Sequence, residues 1–355
     1  MEFLIEYGMF LARVATILIA IIIIVGVIAS SGQKQKKIGK SGSISATRIN
    51  DHINDLREVL RLSILDKDDI KAVHKEEKKT SKAELKEKKE SIKKAKEADE
   101  NPPKKKRYFV LNFKGNIAAD AVESLREEIT AILSLATPDD EVVLRLESPG
   151  GMVHAYGLAS SQLLRIKNRK IPLTICVDKV AASGGYMMAC LADKLIAAPF
   201  AIIGSIGVLV QLPNFHRVLK KYEVDYEIIS AGEYKRTLTN FGEITSKARE
   251  KVKDDVENIH DIFKTWVKEY RPSIEIDKIA TGETWVGSQA KERYMVDELK
   301  TSDEYIVEAC RDSEVFEIEY EFKKTIQEKF SSVLEESAAK LFSRWVNKPN
   351  NDIYQ

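Results

Sequence analysis

EVVLRLESPGGMVHAYGLASSQLLRIKNRKIPLTICV, residues 141–177, holds the pattern on which the fold turns. A β-rich apolar run ends at Glu147, the turn Ser148-Pro149-Gly150-Gly151 follows, and a helical pattern begins soon after Gly151. A second β-rich run, PLTICV, closes the stretch. Strand, helix, strand at this spacing implies parallel strands joined by a crossover helix. Outward on the N-terminal side lie YFVLNF (108–113) and the helical stretch DAVESLREEITAILSL (120–135). On the C-terminal side VDYEIIS (224–230) reads as a further strand. The reading is an α/β domain. PFAIIGSIGVLV (199–210) is too short to span a bilayer and is broken by two glycines, so it reads as buried core.

Glycine-rich turns between strand and helix leave backbone N–H groups unpaired, and glycine tolerates the positive φ and close ligand approach that an oxyanion site needs. The SPGG turn is open to that reading and to a plain structural one. A second turn, VAASGGYMMACLAD (180–193), sets Ser183 among small residues with Gly184 next to it. Such a hydroxyl has little steric cover, and the following N–H is placed to meet a developing oxyanion. An ordinary helix N-cap is the competing reading. A serine nucleophile needs a base. Of the five histidines only His154 sits beside a glycine-rich turn, while SAGEYKRTLT offers Lys235 after the VDYEIIS run. A lysine acting as base near neutral pH must come down from about 10.4 to about 7, which corresponds to roughly 4–5 kcal/mol of desolvation and positioning.

Taken in order, RLESPGG, KVAASGGYMMACLAD, APFAIIGSIGV, GEYKRTLT and ATGETWVGSQAKERYMVDEL closely resemble the signal-peptide-peptidase-A family of Ser-Lys peptidases. The resemblance covers nearly the whole chain. It implies Ser183 as nucleophile, Lys235 as general base and the N–H groups of Gly151 and Gly184 as oxyanion donors. It also implies a ClpP/crotonase-like superhelix of ββα units that associates into rings or domes, acting on signal-peptide remnants or on membrane-associated or misfolded polypeptides, with no cofactor. One departure is visible: where the family commonly has glycine before the Val-Asp pair, this chain has Tyr294 in ERYMVDEL.

The rest of the chain sets the context. LARVATILIAIIIIVGVIA (11–29) carries one charge, Arg13, and is long enough as a helix to cross a hydrocarbon core of about 30 Å. Residues 1–32 therefore read as a single-pass membrane anchor in contact with lipid. Residues 33–107 read as a charged helical stalk, with Ile49, Ile53, Leu56 and Leu60 at amphipathic spacing and Glu84/Lys88 and Glu90/Lys94 at helix-supporting spacing. Residues 108–310 form the peptidase domain and 311–355 a C-terminal extension. Lys34, Lys36, Lys37 and Lys40 follow the apolar run, whereas Glu2 and Glu6 precede it, so the charge rule puts the domain on the cytoplasmic side of a bacterial inner membrane.

The balance of 56 Lys plus Arg against 55 Asp plus Glu argues against a nucleic-acid binder. Cys176, Cys190 and Cys310 lack CxxC spacing and a nearby His cluster, so neither a disulfide framework nor a metal site is indicated. Peptide or polypeptide substrates and other copies of the chain are the expected partners. Two rivals remain: an acyl-CoA enzyme on the same fold, which uses paired N–H donors without a nucleophilic serine, and a catalytically idle membrane scaffold.

Overall fold

The computed structural model describes residues 42–66 and 105–322, with a few positions scattered between residues 7 and 86. In chain order the first half gives β1 (Gly42–Arg48), α1 (Ile49–Ile64), β2 (Arg107–Lys114), α2 (Val122–Leu133), β3 (Glu141–Glu147), α3 (Val153–Asn168), β4 (Leu173–Val177), β5 (Val180–Ala182) and α4 (Gly184–Ala189). The second half gives β6 (Lys194–Ala197), β7 (Ile202–Gly204), α5 (His216–Lys221), α6 (Ser246–Tyr270), α7 (Ile276–Ile279), β8 (Thr284–Val286), α8 (Gly287–Glu292), β9 (Glu298–Leu299), α9 (Ser302–Asp312) and β10 (Glu314–Phe322). Two compact units divide the chain, Met1–Ser43 with Glu321–Gln355, and Ile44–Tyr320.

The centre of the second unit is a seven-stranded sheet in the order β1-β10-β2-β3-β4-β6-β9, parallel from β10 through to β9. Parallel sheets are covered on both faces, and the side-chain alternation shows how. Phe109, Leu111 and Phe113 of β2, Leu144 and Leu146 of β3, Leu173 and Ile175 of β4 and Leu195 of β6 enter one large apolar cluster with α2, α3 and α4. The residues between them, Val110, Val143, Cys176 and Ile196, enter a second cluster on the opposite face with Ile306 of α9, against which Ile49 of α1 packs. The α/β reading holds on these terms. A small second sheet, β5-β7-β8, carries the strand that leads into Ser183.

The structure departs from the sequence reading in several places. Residues 224–230 form no strand; their side chains are exposed, Ile229 at 91%, and no neighbouring strand among the described residues offers them a ladder. In 199–210, Ile203 and Ile206 are buried as expected, but Phe200 and Leu209 stand 84% and 79% exposed. Strands β1 and β10 join the sheet from outside residues 108–310. Asn50 fastens this corner, its Nδ2 donating to Cys310 O and Ser313 O at 3.1 and 3.0 Å and its Oδ1 accepting from Val315 N at 2.9 Å.

Most of the expected anchor and of the charged stalk lies outside the described residues, as does the C-terminal extension beyond Phe322. Among the described residues no helix is long and apolar enough to cross a membrane.

Tyr294, the departure from the family pattern, adopts φ of 58°, the region glycine favours. The turn geometry is thus kept with a bulky side chain in it. Arg271 holds the turn from below, donating through Nη2 to Tyr294 O at 3.1 Å and pairing with both carboxylate oxygens of Asp297 at 2.8 and 2.7 Å.

Candidate active site

Ser183 stands at the corner between β5 and α4 with φ 52° and ψ −119°, a conformation that L-residues other than glycine avoid. Its surroundings hold it there. The Ser183 N–H donates to Gly204 O of β7 at 2.8 Å, and its carbonyl accepts from Met187 N at 3.0 Å. Ser183 occupies the N-cap position of α4, but its side chain makes no capping hydrogen bond. Ser183 is partly exposed on this strained corner, and its hydroxyl has no hydrogen-bond partner among the described residues; a nucleophilic serine needs in addition a base within hydrogen-bond reach.

The two glycine-rich turns meet. A Cβ on Gly150 would fall 2.7 Å from Ser183 Cβ, 2.7 Å from Ala182 O and 2.8 Å from Gly184 N, so the SPGG turn is stacked directly against the serine corner. Gly150 has φ 90°, and its lack of a side chain is required twice over, by conformation and by space. Gly184 is equally confined, since a Cβ there would meet Tyr156 Cγ at 2.4 Å. Gly151 abuts Ile117 O, which would lie 2.2 Å from its Cβ. The backbone N–H groups of Gly151 and Gly184 have no acceptor among the described residues. Gly184 follows Ser183 directly and Gly151 follows the Gly150 that stacks on it, and unpaired N–H groups of this kind can receive a negative oxygen.

No hydrogen bond brings Lys235 to Ser183. The lysine lies in residues 207–245, where α5 is the one regular element, and its side chain is exposed without a hydrogen-bond or ion-pair partner among the described residues. The residues before it are tied elsewhere: Glu233 pairs with Lys247 of α6, and the Tyr234 ring lies under Lys251 Nζ at 5.7 Å. In the same segment the rings of Phe215 and Tyr226 lie 6.0 and 5.6 Å from that of Phe241, centroid to centroid. His154, the rival base, is exposed on the first turn of α3. The thiols are no competitors as nucleophiles: burial pushes Cys176 and Cys190 up to about 12, which keeps both protonated.

Several residues beneath the site escaped the sequence reading. Ser148, the first residue of the SPGG turn, Tyr156 and the carbonyl of Asn116 form a hydrogen-bonded set in which both side chains are fully buried. Ser205, on the turn after β7, has φ 51° like Ser183 and donates its N–H to Glu283 O at 2.6 Å. Nothing in composition or periodicity distinguishes these from ordinary turn and helix residues.

Two family descriptions match the chain in tandem, "Peptidase family S49 N-terminal" over residues 2–163 and "Peptidase family S49" over residues 165–316. A Haemophilus influenzae protein with the name "Probable protease SohB" is 47% identical over 356 residues, 99% of this chain and 98% of its own length. A protein of the same name from Buchnera aphidicola subsp. Schlechtendalia chinensis is 44% identical over 308 residues, 86% of this chain and 99% of its own. "Protease 4" of Haemophilus influenzae shares 29% identity over 208 residues, 56% of this chain and 34% of its own. The chain belongs to peptidase family S49. Within that family it is a protease, carried on an α/β core with a large parallel-rich sheet.

Proposed function

We propose that the chain is a membrane-anchored serine endopeptidase working through a Ser183–Lys235 dyad. The observation that carries the reading is the strained, unpartnered Ser183 packed against a second glycine turn whose Gly151 N–H, like that of Gly184, is free. In this mechanism Ser183 Oγ attacks the scissile carbonyl carbon while its proton passes to the Lys235 amine. The carbonyl oxygen becomes negative and is met by the two N–H groups. Collapse breaks the C–N bond, the Lys235 ammonium returns the proton to the leaving amine, and water hydrolyses the acyl-enzyme with Lys235 again as base.

Closing the dyad requires Lys235 to arrive at Ser183. The segment that carries it exposes Leu209, Tyr222 and Ile229 at 79%, 70% and 91%, which supports a homo-oligomer in which another copy covers these side chains and assembly completes the site. The ClpP/crotonase-type architecture belongs to the same reading. So do a single-pass anchor at residues 11–29 in a bacterial inner membrane, a cytoplasmic catalytic domain and peptide substrates such as signal-peptide remnants or misfolded chains.

Ser183→Ala and Lys235→Ala are each expected to reduce hydrolysis by about 10⁴-fold or more, and the double variant to be no slower than the worse single one, because residues acting as one unit lose nearly everything at the first deletion. Mass-spectrometric identification of products from a peptide library checks this. A double variant far slower than both singles, or loss of activity in His154→Ala alone, overturns the dyad.

A further inference from the structure

We infer that Tyr156 and Ser148 are positioning residues for the oxyanion site, joined in a one-directional hydrogen-bond relay that takes up the Gly150 N–H and leaves the Gly151 N–H as the donor of the SPGG turn. The inference rests on the proposed roles of Ser183 and Gly151 and adds to them the residues that determine which amide is free.

The direction of the relay follows from counting protons. Tyr156 Oη has one hydrogen, and it goes to the Asn116 carbonyl at 2.8 Å. At its 2.6 Å contact with Ser148 Oγ the tyrosine must therefore accept, so the serine proton is committed to Tyr156. Ser148 Oγ then has lone pairs only to offer, and Gly150 N–H donates to it at 3.1 Å. The order is Gly150 N–H to Ser148 hydroxyl to Tyr156 hydroxyl to Asn116 carbonyl, each donor having one use.

The relay is enclosed. Ser148 and Tyr156 are both 0% exposed, and the Tyr156 ring packs edge-on against Phe113 at 6.4 Å between centroids. A Cβ on Gly115 would come within 2.3 Å of Tyr156 Oη and 2.5 Å of Ser148 Oγ, so the loop before α2 closes over both hydroxyls. The backbone of Ser148 also bridges the two sheets, its N–H donating to Val180 O at 2.8 Å and its carbonyl accepting from Ala182 N at 3.0 Å. One residue thus fixes the SPGG turn relative to the strand that ends at Ser183. In a buried setting a hydroxyl pair of this kind locks one rotamer and one proton arrangement, whereas a water-filled site would allow several. Without the relay, Gly150 N–H is unpaired, the φ of 90° loses its restraint, and the turn can present either amide.

The test uses the full-length chain in detergent or native membrane and two variants, Tyr156→Phe, which removes one oxygen and keeps the ring, and Ser148→Ala. An alkyl fluorophosphonate is the probe, read as separate maximal labelling rate and half-saturation constant at Ser183. Both variants are expected to lower the maximal rate about tenfold with the half-saturation constant within twofold, and the double variant to resemble the singles, because one relay is broken in all three. Hydrogen exchange over residues 148–152 supplies a readout independent of activity. The wild type should show a slow Gly150 amide beside a fast Gly151 amide, and the variants two fast ones, with residues 142–146 unchanged. A lowered melting temperature with unchanged maximal labelling rate would reduce both residues to structural supports and overturn the inference. Absence of labelling at Ser183 in the wild type would instead overturn the nucleophile reading, and the inference with it. If neither variant folds, a fast Gly150 amide in the wild type is sufficient to refute the relay.

Discussion

Two regions carry the proposed dyad, and they are built differently. The Ser183 corner is closely packed on its inner side: at Gly150, Gly151 and Gly184 the strands, the SPGG turn, Ile117 and Tyr156 leave no room for a single extra methyl group. Residues 207–245, with Lys235, hold together through an aromatic cluster and a few local hydrogen bonds, and show apolar side chains to solvent. On the proposed roles, the nucleophile and its oxyanion donors would be prebuilt in one chain, whereas the base would have to be delivered. An enzyme so divided can fold completely and stay inactive until the second region is covered and aligned.

The sharpest way to break that contrast, after the dyad deletions, is to add one methyl group to each region. Gly150→Ala places a Cβ within 2.7 Å of two neighbours at a φ of 90° and should destabilise the chain by about 3 kcal/mol or more with loss of labelling at Ser183. Gly207→Ala, whose Cβ would meet Gly282 Cα at 3.3 Å, should change stability by no more than about 1 kcal/mol. Thermal unfolding of the pair decides it: equal losses would mean the segment is as closely confined as the corner.

A smaller effect, dependent on pH, belongs to the packed core and lies outside residues 207–245. Glu128 on α2 is buried, and desolvation pushes its carboxyl up to about 7 despite the hydrogen bond it accepts from Tyr320 N, with Glu319 adding to the rise. Between the ordinary value of 4.5 and about 7 the folded chain holds a proton that the unfolded chain has lost, so stability falls as pH rises through this window. Glu128→Gln should abolish that slope, raising the unfolding midpoint by a few degrees at pH 8 and leaving it nearly unchanged at pH 4. A slope that survives the substitution would place the pH sensitivity elsewhere.

The smallest expected change is a gain. Tyr294→Gly relieves a positive φ at an exposed turn and should stabilise the chain by about 1 kcal/mol, less whatever the unfolded chain gains in freedom. Denaturant unfolding would show it, and a loss would mean that the tyrosine ring contributes contacts worth more than the strain.

Much of the core was legible because the signals are local. Runs 108–113, 141–147 and 172–177 are strands within a residue or so of where their apolar composition puts them, and both glycine turns were recognisable as chemistry-bearing before their meeting could be known. VDYEIIS failed as a strand because β propensity has force only where a partner strand exists. The EVFEIEYEF run was absorbed into an extension because its partner, β2, lies some two hundred residues earlier in the chain, and pairing at that distance leaves no mark on local pattern. Ser148 and Tyr156 were invisible for a different reason. A buried relay depends on the register of β3 against β5 and on the phase of α3, neither of which one sequence specifies.

The hold that β7 has on the serine corner bears on when the enzyme comes into being during its own synthesis. Ser183 donates to Gly204, Gly204 lies opposite Thr284 in the antiparallel pair of β7 with β8, and Tyr186 of the adjoining helix donates to Met295 O at 3.1 Å. A strained backbone persists only when its surroundings over-determine it, and part of those surroundings is made about a hundred residues after the serine. The strained serine corner is therefore expected to form only after nearly all of the core has been translated, and chains truncated before residue 284 should show no fluorophosphonate labelling at Ser183.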